Sequence, residues 1–290
     1  MGSLHLFDAV RRVQRPPALA SVGQFRSRVR AAVGHTGDRR ASSQMKTSDT
    51  KAVLLVGGLG KRLRTMVPSA PKPLAPVGNR PFLELLIRQL GSQGIGSLIL
   101  CTGYLADQVE GEFGDGSGLG VSIEYAKEPE PLGTAGAVKF AERFLEGVPD
   151  FLVMNGDSFL DLDLNRLIQL HRTHGGLATM AVVSVENSGR YGTVHLDSAS
   201  KVTAFCEKTG RDSPGLINAG IYVFSPAILD LIPAGPVSLE NDVFPRLLDQ
   251  GVYAARQQGV FIDIGTPADY ARAQELSDRL RRATAQVTGS

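Results

Sequence analysis

The stretch AVLLVGGLGKRLR, residues 52–64, joins an apolar run to a glycine turn and then to a cluster of cationic side chains. The apolar run is typical of a buried strand. Gly57 and Gly58 follow it, and because glycine has no Cβ atom, backbone N–H groups there can approach a phosphate closely. Lys61 and Arg62 add positive charge, and a guanidinium binds phosphate oxygens through paired hydrogen bonds. The stretch therefore predicts a strand that ends in an anion-binding loop.

Two common phosphate-binding loops do not match this stretch. A P-loop, GxxxxGK[ST], would need glycine in place of Leu55 and Ser or Thr in place of Arg62. A dinucleotide-binding GxGxxG motif that starts at Gly58 would need glycine in place of Leu63. The loop is therefore neither a standard P-loop nor a standard Rossmann fingerprint.

Composition argues against several classes of protein. The chain has 290 residues, of which 42% are hydrophobic, enough for one large domain or two small ones. No segment approaches the roughly 20 apolar residues that cross a bilayer, so we expect a soluble protein with no membrane partner. The net charge of +2, without a stripe of basic and aromatic residues, argues against a nucleic-acid partner. Cys101 and Cys206 lie far apart within apolar runs, which predicts buried free thiols in a reducing cytoplasm.

The first part of the chain differs from the rest in charge. Residues 1–40 contain eight Arg and two Asp, a net charge of +6, and show neither a sustained hydrophobic period nor a signal-peptide core. We expect residues 1–44 to be a disordered or dispensable leader, Met45 to be the native start and residues 45–290 to form a single domain. A transit peptide and a nucleic-acid-binding arm remain open as alternatives.

From Lys51 onward, strand and helix patterns alternate, which predicts parallel βαβ units with both faces of the sheet covered. Apolar runs predict strands at 51–56, 97–102, 121–126 and 150–155, and helical spacing predicts helices at 81–93, 104–113 and 134–145. Later strand patterns at 177–185, 191–196, 201–206 and 217–224 predict antiparallel additions to the sheet. Helices are predicted again at 225–232, 240–250 and 266–283. The predicted fold class is α/β: a Rossmann-like, mixed, mainly parallel sheet flanked by helices.

A second cationic segment follows the glycine loop. In PSAPKPLAPVGNRPFLELL, Lys72 stands between Pro71 and Pro73. Proline fixes its own φ and favours extended geometry in the preceding residue, so this lysine is predicted to be held rigidly, without regular secondary structure. A rigid lysine near the glycine loop predicts a two-sided clamp for a polyphosphate.

Together the two segments resemble the signature of sugar-1-phosphate nucleotidyltransferases, which make nucleotide sugars from a nucleoside triphosphate and a sugar 1-phosphate. The resemblance covers residues 51–280. Further segments match in order: EPEPLGTAGA (128–137) resembles the base-binding segment, NGDSF (155–159) the metal-binding strand end, FCEKTG (205–210) and NAGIYVF (218–224) the sugar-phosphate segments, and FIDIGTPADY (261–270) the second metal segment. Lys61 departs from the family pattern, in which most members carry Thr or Ser.

The resemblance implies a role for each matching residue. Arg62, Lys72 and Asp157 are expected to act in catalysis, with the two cations stabilising the transition state and the leaving pyrophosphate. The nucleotide is expected to contact Leu55, Gly57, Gly58, Gly60, Lys61, Glu128, Gly133 and Thr134. The sugar phosphate is expected to contact Gly192, Glu207, Lys208 and Asn218.

A magnesium site is predicted at Asp157 and Asp263. Two phosphate anions repel each other at contact, so joining them requires a divalent cation, and Mg²⁺ prefers a few carboxylates. Asp157 follows an apolar strand, where an open α/β sheet places its ligands. The alternative is that both residues are turn aspartates that bind local N–H groups. Asp161 and Asp163 fit that alternative better, as turn and helix-start residues.

The histidines do not suggest a metal site. His171 and His174 are three positions apart on a predicted helix, but no third ligand lies nearby in the sequence. We therefore expect both to be surface residues.

Glu128 bears on the choice of base. By the resemblance it lies at the edge of the base, where thymidylyl and uridylyl relatives commonly carry Gln. A carboxylate only accepts hydrogen bonds, and guanine alone offers two adjacent donors on its pairing edge, so GTP is the predicted substrate. The alternative is that Glu128 faces solvent or caps the helix that begins near Thr134.

The sugar is predicted from the resemblance alone. Residues 71–87 and a short domain without hexapeptide repeats are most similar to family members that use D-glycero-α-D-manno-heptose 1-phosphate. The product would feed cell-surface polysaccharide synthesis in the cytoplasm, and self-association stays open. The alternatives are mannose 1-phosphate with GTP, other hexose 1-phosphates with UTP or TTP, a sugar-phosphate kinase or phosphatase, and a non-catalytic regulator that binds a nucleotide sugar.

Overall fold

The computed structural model describes residues 49–58, 60, 63, 70–206, 210 and 213–285. The predicted leader, 1–44, and the predicted site residues Lys61, Arg62, Glu207 and Lys208 lie outside this part of the chain. The strands are β1 Lys51–Leu55, β2 Ser97–Thr102, β3 Ser122–Lys127, β4 Phe151–Asn155, β5 Ser158–Leu160, β6 Ala178–Val185, β7 Thr193–Leu196, β8 Val202–Cys206, β9 Gly215–Phe224, β10 Val252–Gln257 and β11 Phe261–Asp263, with a two-residue pair Pro76–Val77 and Arg80–Pro81.

A nine-stranded sheet forms the centre of the fold in the order β8-β7-β9-β4-β1-β2-β3, with β6 paired to both β9 and β10. β1 pairs in parallel with β2 and β4, and β2 with β3. β9 runs antiparallel to β4, β6 and β7, and β8 runs antiparallel to β7. Within this sheet only β8 and β9 oppose the common direction, which confirms the predicted mixed, mainly parallel α/β fold.

Helices cover the faces of the sheet. The α-helices are α1 Phe82–Ser92, α2 Ala106–Phe113, α3 Gly133–Phe140, α4 Leu164–His174, α5 Phe244–Leu247, α6 Pro267–Glu275 and α7 Ser277–Ala285. Single turns of 3₁₀-helix lie at Lys72–Leu74, Ser117–Leu119, Glu142–Phe144 and Leu248–Gln250, a longer 3₁₀-helix at Pro226–Leu231, and a π-helix at Leu239–Val243. Asp163 caps α4 by accepting the Arg166 N–H at 3.0 Å, which confirms the helix-start role predicted for it.

The three C-terminal helix predictions are wrong in detail. The helix predicted at 225–232 is the 3₁₀-helix Pro226–Leu231, and residues 240–250 are divided between the π-helix, α5 and a 3₁₀ turn. Pro245 contributes to that division because it has no N–H to donate to the carbonyl of Asn241. Residues 266–283 form two helices that meet at Leu276. Strands β5, β10 and β11 were not predicted.

Two hydrophobic cores lie on opposite faces of the sheet. Along β1, Ala52 and Leu54 belong to the first core, whereas Val53 belongs to the second. Leu86 of α1 packs in the first core and Val138 of α3 in the second. Because successive side chains of a strand point to opposite faces, the continuous apolar run of β1 is explained by burial on both sides.

The parallel strands end together at one edge of the sheet. Leu55 at the end of β1 lies opposite Cys101 of β2 and Asn155 of β4. The glycine loop, Glu128 after β3 and Asp157 after β4 therefore emerge at the same edge. Ligands of open α/β sheets bind at this carboxyl edge.

One cysteine prediction is wrong. Cys101 is buried and free, as predicted, but Cys206 is exposed at the end of β8, although it is also free. The short apolar run around Cys206 belongs to β8, the last strand at one side of the sheet. One side of β8 has no partner strand among the described residues. No helix in the described ranges is both long and apolar enough to cross a membrane.

The prediction of two surface histidines is also wrong. His171 is 1% exposed, and its ring nitrogens lie 3.0 Å from Thr179 Oγ1 and 3.1 Å from Ser225 Oγ. His174 is partly buried and stacks on Tyr253 with ring centroids 4.2 Å apart. Each histidine thus has a structural partner distant in sequence, which helical spacing does not reveal.

Candidate active site

Lys72 is held by its neighbouring prolines in the 3₁₀ turn Lys72–Leu74. Pro71 and Pro73 flank the lysine as the sequence indicated, but the prediction that the segment lacks regular structure is wrong, because it forms this turn. The N–H of Leu74 donates to the carbonyl of Pro71 at 2.8 Å. The Lys72 side chain is only 12% exposed, and a largely buried ammonium requires anionic partners.

Those partners are the two carboxylates that were predicted to bind metal. Lys72 Nζ lies 2.5 Å from Asp157 Oδ2 and 3.8 Å from Asp263 Oδ1. One ammonium therefore joins a strand-end residue of the central sheet to a residue more than 100 positions later in the chain. The three residues form a compact charged cluster at the carboxyl edge.

A small two-stranded ribbon brings Asp263 to Asp157. β11 pairs antiparallel with β5, so that Asp263 lies opposite Ser158. The Ile264 N–H donates to the Asp157 carbonyl at 3.0 Å, and the Gly265 N–H donates to Asp263 Oδ1 at 2.6 Å. The Ser158 hydroxyl donates to Asp157 Oδ1 at 3.2 Å. Each carboxylate therefore also has a local partner, and that of Asp263 is a backbone N–H, as the turn alternative predicts, while both still face Lys72.

The environment separates the proton affinities of the two carboxylates. Burial acts to raise the pKa of Asp157, but the Lys72 ammonium outweighs it and holds that pKa below its ordinary value. Burial and the neighbouring Asp157 carboxylate raise the pKa of Asp263 to about 6, against the opposing effect of Lys72. A single ammonium thus does not fully compensate two adjacent carboxylates.

The glycine loop lines a cavity of about 210 Å³ next to this cluster. Gly58 and Gly60 lie in its wall together with Lys72 and Asp157. Gly60 has a φ of +55°, and a Cβ atom added there would lie 2.8 Å from the Lys72 Cβ. Glycine at this position therefore lets the loop lie directly against the lysine.

Leu55, Gly57 and Glu128 stand at the base of the loop. The Leu55 carbonyl accepts the Gly156 N–H at 2.9 Å, which links the ends of β1 and β4. A Cβ atom on Gly57 would lie 2.7 Å from Glu128 Oε1, so the carboxylate lies against the loop backbone. Glu128 Oε2 accepts the Leu132 N–H at 3.0 Å, one residue before α3, so the predicted helix-cap alternative describes part of its role. Burial raises the pKa of Glu128, whereas the Leu132 hydrogen bond opposes this.

Gly133 and Thr134 begin α3 and contact the segment that precedes the π-helix. Gly133 has a φ of +71°, and a Cβ atom there would lie 2.6 Å from the Val237 carbonyl oxygen. Thr134 Oγ1 donates to Glu240 Oε2 at 2.7 Å and accepts the Leu239 N–H at 2.8 Å. Thr134, predicted to contact the nucleotide, thus also fixes the π-helix against α3.

Gly192 and Asn218 line a second cavity of about 350 Å³. The Asn218 N–H donates to the Gly192 carbonyl at 2.9 Å. The Asn218 side chain donates to the Tyr222 hydroxyl at 2.6 Å and accepts the Gly220 N–H at 3.0 Å. These contacts fix the amide in the wall of the cavity.

The second cavity also contains residues that sequence analysis missed. They are polar or charged and are contributed by three separate segments: Asn155, Arg190, Tyr191, Ser238, Glu240 and Asn241. Arg190 and Tyr191 immediately precede Gly192, and this adjacency was the available signal for them. Glu240 was harder to identify because its main partner, Thr134, is 106 positions away.

Lys72 and Asp157 line both cavities. The first cavity, called here the glycine-rich cavity, and the second, called the polar cavity, therefore meet at the charged cluster of Lys72, Asp157 and Asp263. Two anionic groups, one from each side, would come together beside the ammonium of Lys72. Such an arrangement suits the transfer of a phosphoryl-type group between two bound molecules.

Comparisons with known proteins identify the family of this chain. Residues 51–279 match the family described as nucleotidyl transferase. Over 232 residues the chain is 41% identical to the mannose-1-phosphate guanylyltransferase of Mycobacterium tuberculosis, a match that covers 79% of this chain and 64% of that protein. Over 227 residues it is 40% identical to the D-glycero-alpha-D-manno-heptose 1-phosphate guanylyltransferase of Aneurinibacillus thermoaerophilus, covering 78% of this chain and 97% of that protein.

Among solved structures, HddC from Yersinia pseudotuberculosis complexed with GMP-PN is 34% identical and superimposes with a TM-score of 0.70, covering 78% of this chain and 98% of that chain. The match therefore spans less than two thirds of the mycobacterial relative but nearly the full length of the Aneurinibacillus and Yersinia proteins.

Proposed function

Because the chain belongs to the nucleotidyl transferase family, we propose that it transfers a nucleoside monophosphate from a nucleoside triphosphate to a sugar 1-phosphate and releases pyrophosphate. The observation that carries this proposal is the position of Lys72 and Asp157 in the walls of both cavities. A triphosphate on the glycine loop and a sugar phosphate in the polar cavity would meet at these two residues.

The reaction needs no covalent nucleophile from the protein. An oxygen of the sugar phosphate attacks the α-phosphorus of the triphosphate in line, and pyrophosphate leaves. The glycine loop orients the triphosphate, the polar cavity orients the sugar phosphate, and the Lys72 ammonium neutralises negative charge where they meet. Positioning and electrostatics therefore account for catalysis in this proposal.

Mg²⁺ is the proposed cofactor, and Asp157 and Asp263 are the residues that would hold it. The donor set fits, because two carboxylates share one ammonium. Burial and the neighbouring Asp157 carboxylate raise the pKa of Asp263, so an added cation would be favourable. The described residues contain no group of three or more His, Cys, Asp or Glu that could hold a metal. Mg²⁺ commonly takes one or two protein carboxylates and completes its shell with substrate phosphate and water. When bound, it would supply charge neutralisation to the phosphates.

GTP is the proposed triphosphate. The support is Glu128, whose carboxylate lies against the glycine loop, and the guanylyltransferase names of two relatives. D-glycero-α-D-manno-heptose 1-phosphate is the proposed sugar, since the relative named for it is matched over 97% of its length. Mannose 1-phosphate is the second choice, supported by the 41% identity to the mycobacterial enzyme. The product would serve polysaccharide synthesis in the cytoplasm, where nucleoside triphosphates are available.

Pyrophosphate release from purified protein tests this function. GTP, UTP, TTP and ATP would each be combined with heptose, mannose and glucose 1-phosphates, with and without Mg²⁺. We expect release that requires both substrates and is fastest with GTP. Release of nucleoside diphosphate or free phosphate instead would indicate a kinase or phosphatase, and binding without turnover would indicate a regulator.

A further inference from the structure

Arg190 lines the polar cavity, two positions before the predicted sugar-phosphate contact Gly192. It lies in the wall with Lys72, Asp263 and Asn218. Among the described residues, Lys72 and Arg190 are the cations that line either cavity. Lys72 already faces two carboxylates, so Arg190 is the cation in this wall that does not contact Asp157 or Asp263 in the described contacts.

The charge of the polar cavity calls for this second cation. Asp157, Glu240 and Asp263 line it, so its carboxylates outnumber its cations among the residues that the structure describes. A sugar 1-phosphate carries up to two negative charges and would be repelled by three carboxylates. Mg²⁺ at Asp157 and Asp263 would neutralise negative charge only at the end of the cavity nearest those residues.

A carboxylate outside the cavity wall holds Arg190 in position. Nη2 of the Arg190 guanidinium donates to Oδ2 of Asp269, which lies in the first turn of α6. The same Asp269 oxygen accepts the Thr266 hydroxyl at 2.5 Å, and the Asp269 N–H donates to Thr266 Oγ1 at 3.3 Å. A guanidinium has five N–H donors, so one contact with Asp269 leaves donors for a ligand.

The loop that carries Arg190 is fixed on its other side as well. Tyr191 packs edge-on against Phe261 of β11 with ring centroids 5.7 Å apart. The Arg190 Cζ lies 5.5 Å from the centre of the Tyr191 ring. The loop is thus joined to β11, which ends at Asp263, and to α6, which follows it.

We propose that Arg190 binds the phosphate of the sugar 1-phosphate, and that Asp269 is a positioning residue that orients the guanidinium towards it. This inference rests on the proposed function, because it assigns a contact within that reaction. Arg suits the task because its planar fork binds phosphate oxygens through two parallel hydrogen bonds.

Steady-state kinetics with GTP and mannose 1-phosphate or the heptose 1-phosphate test the inference. In Arg190→Ala we expect KM for the sugar phosphate to rise tenfold to a hundredfold, the usual effect of losing hydrogen bonds to a charged group, while KM for GTP stays within twofold. Arg190→Lys should recover part of the loss. Asp269→Asn should raise the same KM by a smaller factor and leave the KM for GTP unchanged.

A melting curve of each variant separates binding from folding. If Arg190→Ala and Asp269→Asn lower Tm equally but leave KM for the sugar phosphate within twofold of wild type, Arg190 is only half of a structural ion pair and the inference is wrong. An active wild type with that result would overturn this inference alone. A wild type that releases no pyrophosphate from any substrate pair would overturn the proposed function and this inference together.

Discussion

Lys72 and Asp157, 85 positions apart in the chain, form an ion pair of 2.5 Å that lies in the wall of both cavities. The prolines around Lys72 hold its backbone, and the end of β4 places Asp157. The two substrates of the proposed reaction would meet at this pair.

Replacing Lys72 tests its proposed electrostatic role. Lys72→Ala removes the ammonium that would stabilise charge developing on the leaving group, so kcat should fall by about 10²-fold or more. KM for GTP should change less than kcat. Lys72→Arg keeps the charge but changes its reach, and it should retain more activity than Lys72→Ala. Equal kcat values for wild type and Lys72→Ala would contradict the role.

Asp263 affects both metal binding and stability. Its pKa of about 6 in the folded, metal-free protein exceeds the ordinary 3.8, so folding favours its protonated form. Its favourable contribution to stability is therefore present at low pH, below about 4, and is lost as pH rises through about 6. Asp263→Asn should raise Tm in EDTA by a few degrees at pH 7 and by much less at pH 4.5.

Activity completes the test of Asp263. Asp263→Asn should lose most of its turnover and its dependence on Mg²⁺, because one of the two proposed ligands is neutral. Asp161→Asn is the matched control, since Asp161 is an exposed carboxylate just beyond β5. A normal Mg²⁺ titration for Asp263→Asn, or a lower Tm at pH 7, would count against this account.

Gly58 and Gly60, both in the wall of the glycine-rich cavity, can be compared as a pair. Alanine at Gly60 would place a Cβ atom 2.8 Å from the Lys72 Cβ at a φ of +55°. Gly60→Ala should therefore displace Lys72 and lower both kcat and Tm. At Gly58 no described atom lies within 4 Å of an added Cβ atom, so Gly58→Ala should leave Tm unchanged and affect only the KM for nucleotide. Identical melting curves for the two variants would refute the packing argument.

Glu128 tests the choice of base. A carboxylate that accepts two donors of guanine should favour GTP over UTP by roughly tenfold to a hundredfold in kcat/KM. Glu128→Gln should reduce this ratio, since an amide can also donate. The variant keeps an oxygen acceptor for the Leu132 N–H, so the loop before α3 should persist. A wild type that prefers UTP, or an unchanged ratio in the variant, would remove Glu128 from this role.

Sequence reasoning identified those parts of the fold that local patterns determine. The first half of the sheet was predictable because β1 and α1 have apolar residues at the spacing of strands and helices. β5 and β11 were not, since each has three residues and becomes a strand only by pairing with the other, about 100 positions away.

The candidate site also contains residues that local sequence patterns reveal and residues that only long-range contacts reveal. Lys72 could be singled out from its two flanking prolines, which are adjacent in sequence. Arg190 and Glu240 resemble ordinary surface charges until Asp269 and Thr134 are brought to them. Long-range hydrogen bonds of this kind leave no periodic signal in a single sequence.

Attack on the α-phosphorus of the triphosphate distinguishes the proposed reaction from that of a kinase, and GTP labelled at the α-phosphate shows which phosphorus is attacked. The labelled GTP would be incubated with the protein, Mg²⁺ and either heptose 1-phosphate or mannose 1-phosphate, and the products separated. We expect the label in a GDP-sugar and unlabelled pyrophosphate in equal amount. Label recovered as GDP, with a second phosphate on the sugar, would show attack at the γ-phosphorus and exclude nucleotidyl transfer.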